Sequence, residues 1–307
     1  MPDYDVRDKR VLITGASSGI GWALAKAFAA EGAKLALVAR RRARLERLAE
    51  EIDAPPVRKP IIVTADLSVR GRAADAAEKV TEALGGIDVL VNNAGGAVGG
   101  SLWAVADGDE ARADFEVDFW SPLALIGAFV PAMRARGEGT IVNVTSLRQV
   151  MAWPSFGQNT AAQAALALAT ETLRLELMRD GLHVVEVIPG PIETPIQGPT
   201  SLIPGITEVV HDRLGTASPE EISAMIVEAV KRRLDRVFCP DTVRQMYENP
   251  VEVRARTVED VKRLNRELPP NELIDTLVVG ADHPLLLQAR DQWEQEHREI
   301  AGHPPVP

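Results

Sequence analysis

The amino-acid sequence predicts an α/β protein, a doubly wound parallel sheet with helices on both faces and a helical C-terminal extension. Two observations carry that reading. From Arg10 to Gly190, short runs rich in Val, Ile and Leu alternate with longer stretches whose apolar residues recur at helical spacing; near-continuous apolar strands are what a sheet covered on both faces requires. The first strand also runs into a cluster of glycines at the start of a helical stretch, a turn chemistry suited to a helix that begins directly over a strand end.

The strand candidates, in order, are "VLITG" (11–15), "KLALVAR" (34–40), "PIIVTADL" (60–67), "IDVLVNNAG" (87–95), "GTIVNVTS" (139–146) and "HVVEVIPG" (183–190). Between the first two, "GIGWALAKAFAAEG" has helical periodicity and stops at Gly32, a residue that adopts the left-handed conformation ending many helices. The stretch "SFGQNTAAQAALALATETLRLEL", Ser155 to Leu177, reads as an alanine-rich helix. Residues 193–216 are rich in Pro, Gly and Thr yet largely apolar, which fits a lid over a substrate or a packed surface loop. Ser218, with Pro219 and two glutamates behind it, marks a helix start, and "RVFCP" supplies a last strand. The reading gives one domain over residues 1–240. An extension over 241–307 includes a helix at "PLLLQARDQWEQEHREIA" (284–301) and ends in a frayed "GHPPVP" tail.

The chain has 307 residues, 44 acids and 34 Lys or Arg, for a net charge of -10. That balance argues against a nucleic-acid partner or an anionic membrane surface. The single cysteine, Cys239, excludes an intramolecular disulfide and a cysteine-rich metal site; it reads as a small buried apolar residue in a cytoplasmic protein. The charged start "MPDYDVRDKR" is unlike a signal peptide, and no stretch of about 20 apolar residues suggests a membrane span. No metal is expected.

The turn "TGASSGIG", Thr14 to Gly21, is where chemistry enters. Small residues let the backbone approach a pyrophosphate, and the helix start supplies unpaired N–H groups and a favourable dipole. Gly15, Ser17, Ser18, Gly19, Ile20 and Gly21 are therefore cofactor-binding candidates in a Rossmann-like fold. Further motifs follow: "ADLS" at Asp66, "NNAG" at Asn92 to Gly95, "IVNVTS" ending at Ser146, and "PGPIETP" at Pro189 to Pro195. In this order and spacing, over about residues 8–240, the chain resembles the short-chain dehydrogenase/reductase family. The resemblance implies that Asp66 and Leu67 border an adenine and that Asn92, Ala94 and Gly95 line the adenosine side. Pro189, Gly190, Ile192 and Thr194 are implied at the nicotinamide end. After the second strand stand Arg40, Arg41 and Arg42 with no acid. An acid there would hold ribose hydroxyls and repel a 2′-phosphate, whereas arginine accepts one, so NADP(H) is the expected cofactor.

The resemblance also implies a serine, a tyrosine and a lysine around the reacting oxygen, with an asparagine on the preceding helix. Ser146 matches the serine. The tyrosine falls thirteen positions on, at Asn159, and the lysine at Gln163; small residues from Ala164 follow, as they follow the family's lysine. "FEVDFWSPL" aligns so that Asp118 takes the asparagine's place. Amides can hydrogen-bond a ribose or a substrate oxygen but do not exchange protons at useful pH. The remaining tyrosines are Tyr4, ahead of the first strand, and Tyr247, in the extension. Other possible proton donors are Asp118 if buried, Glu193 beside the nicotinamide and His211 in the lid, each with a plainer reading as helix cap, solvated acid or surface histidine.

The expected function is an NADP(H)-dependent oxidoreductase with an atypical site of Asp118, Ser146, Asn159 and Gln163. It would move hydride to or from an apolar substrate with an activated C=C, C=N or C=O. The alternatives are a non-redox enzyme catalysing elimination, isomerisation or cyclisation, and a catalytically inactive cofactor-binding partner or sensor. Trp153 and Phe156, near the serine, suggest an apolar small-molecule substrate. The helix from Phe156 and the one around Phe115 to Val130 resemble the pair forming the family's subunit contact, implying a homodimer or homotetramer.

Overall fold

Val11, Leu12 and Ile13 are fully buried in β1 (Arg10–Thr14), an interior strand of the sheet. The computed structural model describes residues 4–52, 59–96, 100–194 and 214–267, with two isolated positions at 288 and 292. Within them β2 (Lys34–Ala39), β3 (Ile61–Thr64), β4 (Val89–Asn92), β5 (Gly139–Val144), β6 (Leu182–Pro189) and β7 (Arg236–Cys239) complete one sheet. Its order is β3-β2-β1-β4-β5-β6-β7, every pair parallel. The chain winds outward from β1 in one direction and then restarts at β4 in the other. The gap beyond the carboxyl ends of β1 and β4 is therefore the crevice where such sheets take ligands.

The pleat divides the strand side chains between two cores. Val11, Ile13, Leu35 and Leu37 face α1 (Gly19–Ala30), α2 (Arg42–Glu51) and α8 (Pro219–Arg232), where Phe28, Leu24, Leu45, Ile222 and Ile226 are fully buried. Leu12, Ala36 and Val38 face α3 (Arg72–Leu84) and α6 (Ser121–Arg136) through Val80, Leu125, Phe129 and Met133. Each such large apolar side chain contributes about 1.5–3 kcal/mol on burial. α7 (Gly157–Leu177) completes this face. Ser218 caps α8 as the sequence predicts, accepting from the Glu221 N–H at 3.0 Å.

Two short helices, α4 (Leu102–Val105) and α5 (Asp109–Phe115), precede a five-residue π-helical turn, Glu116–Trp120, that leads straight into α6. Taken as one helix, Asp109–Arg136 is long enough for a membrane span and holds an 18-residue window with the mean hydropathy (1.2) of one. This qualifies the sequence reading, which looked for about 20 consecutive apolar residues. The helix is the β4–β5 crossover, laid against the sheet through Leu125, Phe129 and Met133. Beyond β7, α9 (Thr242–Glu248) and α10 (Pro250–Glu267) follow. Phe238 of β7 and Val243 of α9 share a small core with Ile188, Leu214 and Leu147, the last in a 3-10 turn at Leu147–Val150. Cys239 is buried, as expected, which pushes its thiol up to about 12. The loop over 195–213, with His211, and the helix predicted at 284–301 lie outside the described residues.

Candidate active site

Thr14, the last residue of β1, ties the crevice together. Its hydroxyl donates to the Val91 carbonyl (3.2 Å) and accepts the N–H groups of Asn93 and Ala94 (3.0 Å each), so the ends of β1 and β4 cannot spread. The chain then turns at Gly15 with φ +68°, and a Cβ there would lie 2.8 Å from the Ala94 Cα. At Gly21 a Cβ would come within 2.5 Å of the Gly15 carbonyl oxygen. Only glycine permits this close approach of turn, strand and helix. The result is a cleft of about 410 Å³ running from the start of α2 to Ser146 and Trp153.

At one end of the cleft, Arg41 donates through Nη2 to the hydroxyls of Ser18 (2.7 Å) and Ser17 (3.1 Å), fixing the guanidinium against the glycine turn. Arg40 stands beside Asp66 at 4.0 Å, and the Asp66 carboxylate is occupied locally by the N–H and hydroxyl of Ser68. The first turn of α2 contains no acid. Gly15, Ser17, Ser18, Gly19, Ile20, Arg40, Arg41, Asp66 and Leu67, the residues expected to bind the cofactor, all line this end. Two expectations need correction. Gly21 does not line the cleft; it serves the packing beneath it. Asn92 is buried in β4, donating to Asn143 Oδ1 (2.8 Å), which in turn donates to Thr170 (2.8 Å); its neighbour Asn93 lines the cleft instead.

At the other end the cleft is lined by Pro189, Gly190, Ile192, Thr194, Ala94 and Gly95. Gln163, on α7, joins them; it is 7% exposed, and its Oε1 is buried without a hydrogen-bond partner. A ribose hydroxyl is the kind of group that satisfies such an acceptor. With glycines at the turn, arginines at the end of β2 and an unpaired amide oxygen at the nicotinamide end, the residues present fit a nicotinamide dinucleotide.

Ser146 ends the β5 segment, and its Oγ accepts the Arg148 backbone N–H at 3.2 Å, which leaves the hydroxyl proton free to be donated. Asn159, on the first turn of α7, also lines the cleft, and its amide is fixed on all sides. Nδ2 donates to Asp118 Oδ2 (2.7 Å) and to the Gly96 carbonyl (3.1 Å), while Oδ1 accepts Arg148 Nη1 (3.0 Å). Asp118 Oδ1 accepts the Gly96 N–H (3.0 Å). Asp118 itself does not line the cleft: it is 1% exposed and stands behind Asn159. Burial above all, then the neighbouring Asp114, pushes its carboxyl well above the ordinary carboxylate range, against the pull of Gly96, Gln163 and Arg148. The close spacing needs Gly95 and Gly96, since Cβ atoms there would meet Asp118 Oδ1 at 3.1 Å and Asp114 Oδ1 at 2.7 Å.

Arg148 went unmarked in the sequence. It lines the cleft two residues after Ser146, with its guanidinium 4.2 Å over the Phe156 ring. Burial pulls its pKa down and the two aspartates hold it up, so it remains charged. The only signal was its place just after the strand carrying Ser146, which does not reveal that α7 brings Asn159 opposite it. Trp153 and Phe156 are both buried and line the cleft.

Neither tyrosine lines it. Tyr247 stacks edge-on against Phe238 (5.2 Å between centroids), with burial raising its phenol, and Tyr4 is buried with Lys9 over its ring. Glu193 is also absent from the lining; among the described residues, the lining contains no tyrosine, lysine or histidine.

A parallel sheet with a glycine-turn cleft at its switch point is the architecture of dinucleotide-binding proteins. The short chain dehydrogenase family model matches residues 9–202, and the chain belongs to that family. A dehydrogenase/reductase SDR family protein 7-like of Anopheles gambiae is 34% identical over 246 residues, covering 78% of this chain and 77% of that protein. The SDR family member 7B of Bos taurus is 32% identical over 243 residues, with 77% and 74% covered. Among solved structures, the L-sorbose reductase of Gluconobacter frateurii complexed with NADPH and L-sorbose superposes with a TM-score of 0.68 at 30% identity, over 77% of this chain and 96% of that one. A Burkholderia phymatum member in complex with NAD gives 0.69 at 26% identity, over 82% and 97%.

Proposed function

We propose that this chain is an NADP(H)-dependent oxidoreductase that works without the family's tyrosine and lysine, acting on an apolar substrate with an activated C=C, C=N or C=O. The observation that carries the reading is the composition of the reactive end: Ser146 beside two amides, Asn159 and Gln163, with Arg148 as the sole cationic side chain there among the described residues. NADP(H), when bound, supplies or accepts the hydride. Arg41, braced on Ser17 and Ser18, with Arg40 beside it, is set to take a 2′-phosphate. Gln163 Oε1 is set to accept a ribose hydroxyl. Ser146 donates a hydrogen bond from its hydroxyl to a substrate oxygen, while Asn159, locked between Asp118 and Arg148, orients that end of the cleft. Asp118, behind Asn159, acts as a positioning residue. A small-molecule substrate enters against Trp153 and Phe156. The relatives bound to NADPH support the cofactor, although one neighbour carries NAD.

We read the functional unit as a homodimer or homotetramer, because Trp120, Leu168, Leu175 and Met178 are more than half exposed on the π-α6 and α7 surface. The deciding experiment is an NADPH titration followed by absorbance of the reduced nicotinamide across ketones, imines and enones. Turnover of activated substrates but not of simple ketones is expected. Tight NADPH binding with no turnover of any class would favour a cofactor-binding partner or sensor.

A further inference from the structure

We propose that Arg148 is the residue that holds the substrate's developing oxyanion, and that the substrates it selects are alkenes conjugated to a carbonyl group. The inference rests on the oxidoreductase reading above and adds to it a substrate class and a residue. Arg148 lines the cleft two residues from Ser146, stacked 4.2 Å over Phe156 and tied through one N–H to Asn159. Among the described residues no carboxylate lies within ion-pair distance of it, so its remaining N–H groups are available to a ligand. An arginine fixed by an aromatic face and an amide is a preorganised donor, and a preorganised donor is worth most where charge appears during the reaction.

The surroundings favour charge that develops over charge that arrives. Arg148 already faces the pull of two carboxyl groups, Asp114 and Asp118, and burial followed by Asp114 raises the Asp118 carboxyl well above the ordinary carboxylate range. A carboxylate entering this apolar site, walled by Trp153, Phe156 and Leu147, would lose its hydration and meet both of those groups. A neutral enone enters without that penalty.

The reaction balances as follows. NADPH, when held in the cleft, would supply the hydride and be oxidised to NADP+. As the β-carbon gains it, the C=C π pair moves to the Cα–C bond and the carbonyl π pair onto oxygen. Arg148 N–H and the Ser146 hydroxyl hold that oxygen as the enolate without giving up a proton. The α-carbon then takes a proton from water, the carbonyl re-forms, and hydroxide is neutralised by solvent. No phenol is required at oxygen, which is consistent with amides at positions 159 and 163.

The test uses two readouts. The first needs no turnover: 4-nitrophenol is titrated spectroscopically on the full chain with NADP+ present, its phenolate standing in for the enolate. The wild type should lower the bound phenol's pKa by about one unit, Arg148→Met should abolish the shift, and Arg148→Lys should keep part of it. The second is kinetic. Arg148→Met should lower kcat for an enone on the order of 10²–10³-fold with KM within a few-fold, while NADPH affinity, unchanged, reports an intact fold. An unshifted nitrophenol in the wild type, or enone kcat untouched by Arg148→Met, overturns the proposal while leaving the oxidoreductase reading standing. So does a variant that weakens benzoate binding and raises KM alone, since that marks a ground-state carboxylate anchor. A wild type that binds NADPH and shifts nitrophenol but reduces nothing refutes the oxidoreductase reading and, with it, the assigned substrate class.

Discussion

Arg41→Ala should reverse or abolish a preference for NADPH over NADH, and the size of the effect can be worked from its surroundings. The guanidinium is held against the glycine turn by Ser18 at 2.7 Å and Ser17 at 3.1 Å, so it meets a 2′-phosphate already oriented. A charge-assisted hydrogen bond of that kind is worth about 1.5–3 kcal/mol, or about 10- to 150-fold in Kd. Arg40 contributes less: its side chain is 40% exposed and already faces Asp66 at 4.0 Å, so screening limits it to about 1 kcal/mol, about fivefold. Losing Arg41 also loosens Ser17 and Ser18, which line the same end of the cleft. The informative quantity is therefore the ratio of NADH to NADPH dissociation constants, in which damage to the turn cancels. Calorimetric titration of wild type, Arg40→Ala, Arg41→Ala and the double variant at fixed ionic strength measures it. Equal losses for both cofactors, or a wild type that prefers NADH, would refute the reasoning.

Three other outcomes are expected. The double variant Asn159→Tyr with Gln163→Lys should raise NADPH-dependent reduction of simple ketones by up to about a hundredfold, since general acid catalysis contributes about 10²–10⁴-fold and the new phenol enters a site built around an amide; steady-state kinetics showing no gain counts against the register. Asp118 is raised in the fold above its ordinary 3.8, so between that value and its folded value the native state keeps a proton the unfolded chain has released, and stability falls as pH rises through the window. Asp118→Asn should flatten this part of the melting temperature against pH, and parallel profiles would contradict it. Leu168→Glu with Leu175→Glu, at two exposed positions of α7, should yield monomers by light scattering if that face joins subunits; an unchanged mass removes it as the contact.

Features written along the chain were legible before the fold was seen. The strands announce themselves because both faces of a parallel sheet are covered, the glycine turn because no other residue tolerates the approach at Gly15, and the start of α8 because Ser218 has only its local chain to cap. Features that depend on which elements meet were not. Asn92 and Asn93 are equivalent in sequence, yet strand pairing sends the first to Asn143 in the interior and leaves the second at the cleft. Asp118 was expected to face the site, but one turn of α7 intervenes and Asn159 takes the place at the cleft. Arg148 is invisible for the same reason. Its character comes from Phe156, Asn159 and two aspartates, all distant along the chain or on other elements.

The π-helical turn at Glu116–Trp120 has a consequence for how this site could be lost or gained. A wide turn of this kind holds one residue more than an α-helix needs, and each residue rotates a helix by about 100°. Deleting a single codon there would restore a regular helix and swing Asp114 away from Gly96 while Asp118 kept its place, or the reverse, parting two carboxyl groups that both act on Arg148. The sheet and the cofactor turn lie on other elements. A one-residue change in length, with no chemical substitution anywhere in the cleft, would thus rearrange the groups that stand behind its reactive end.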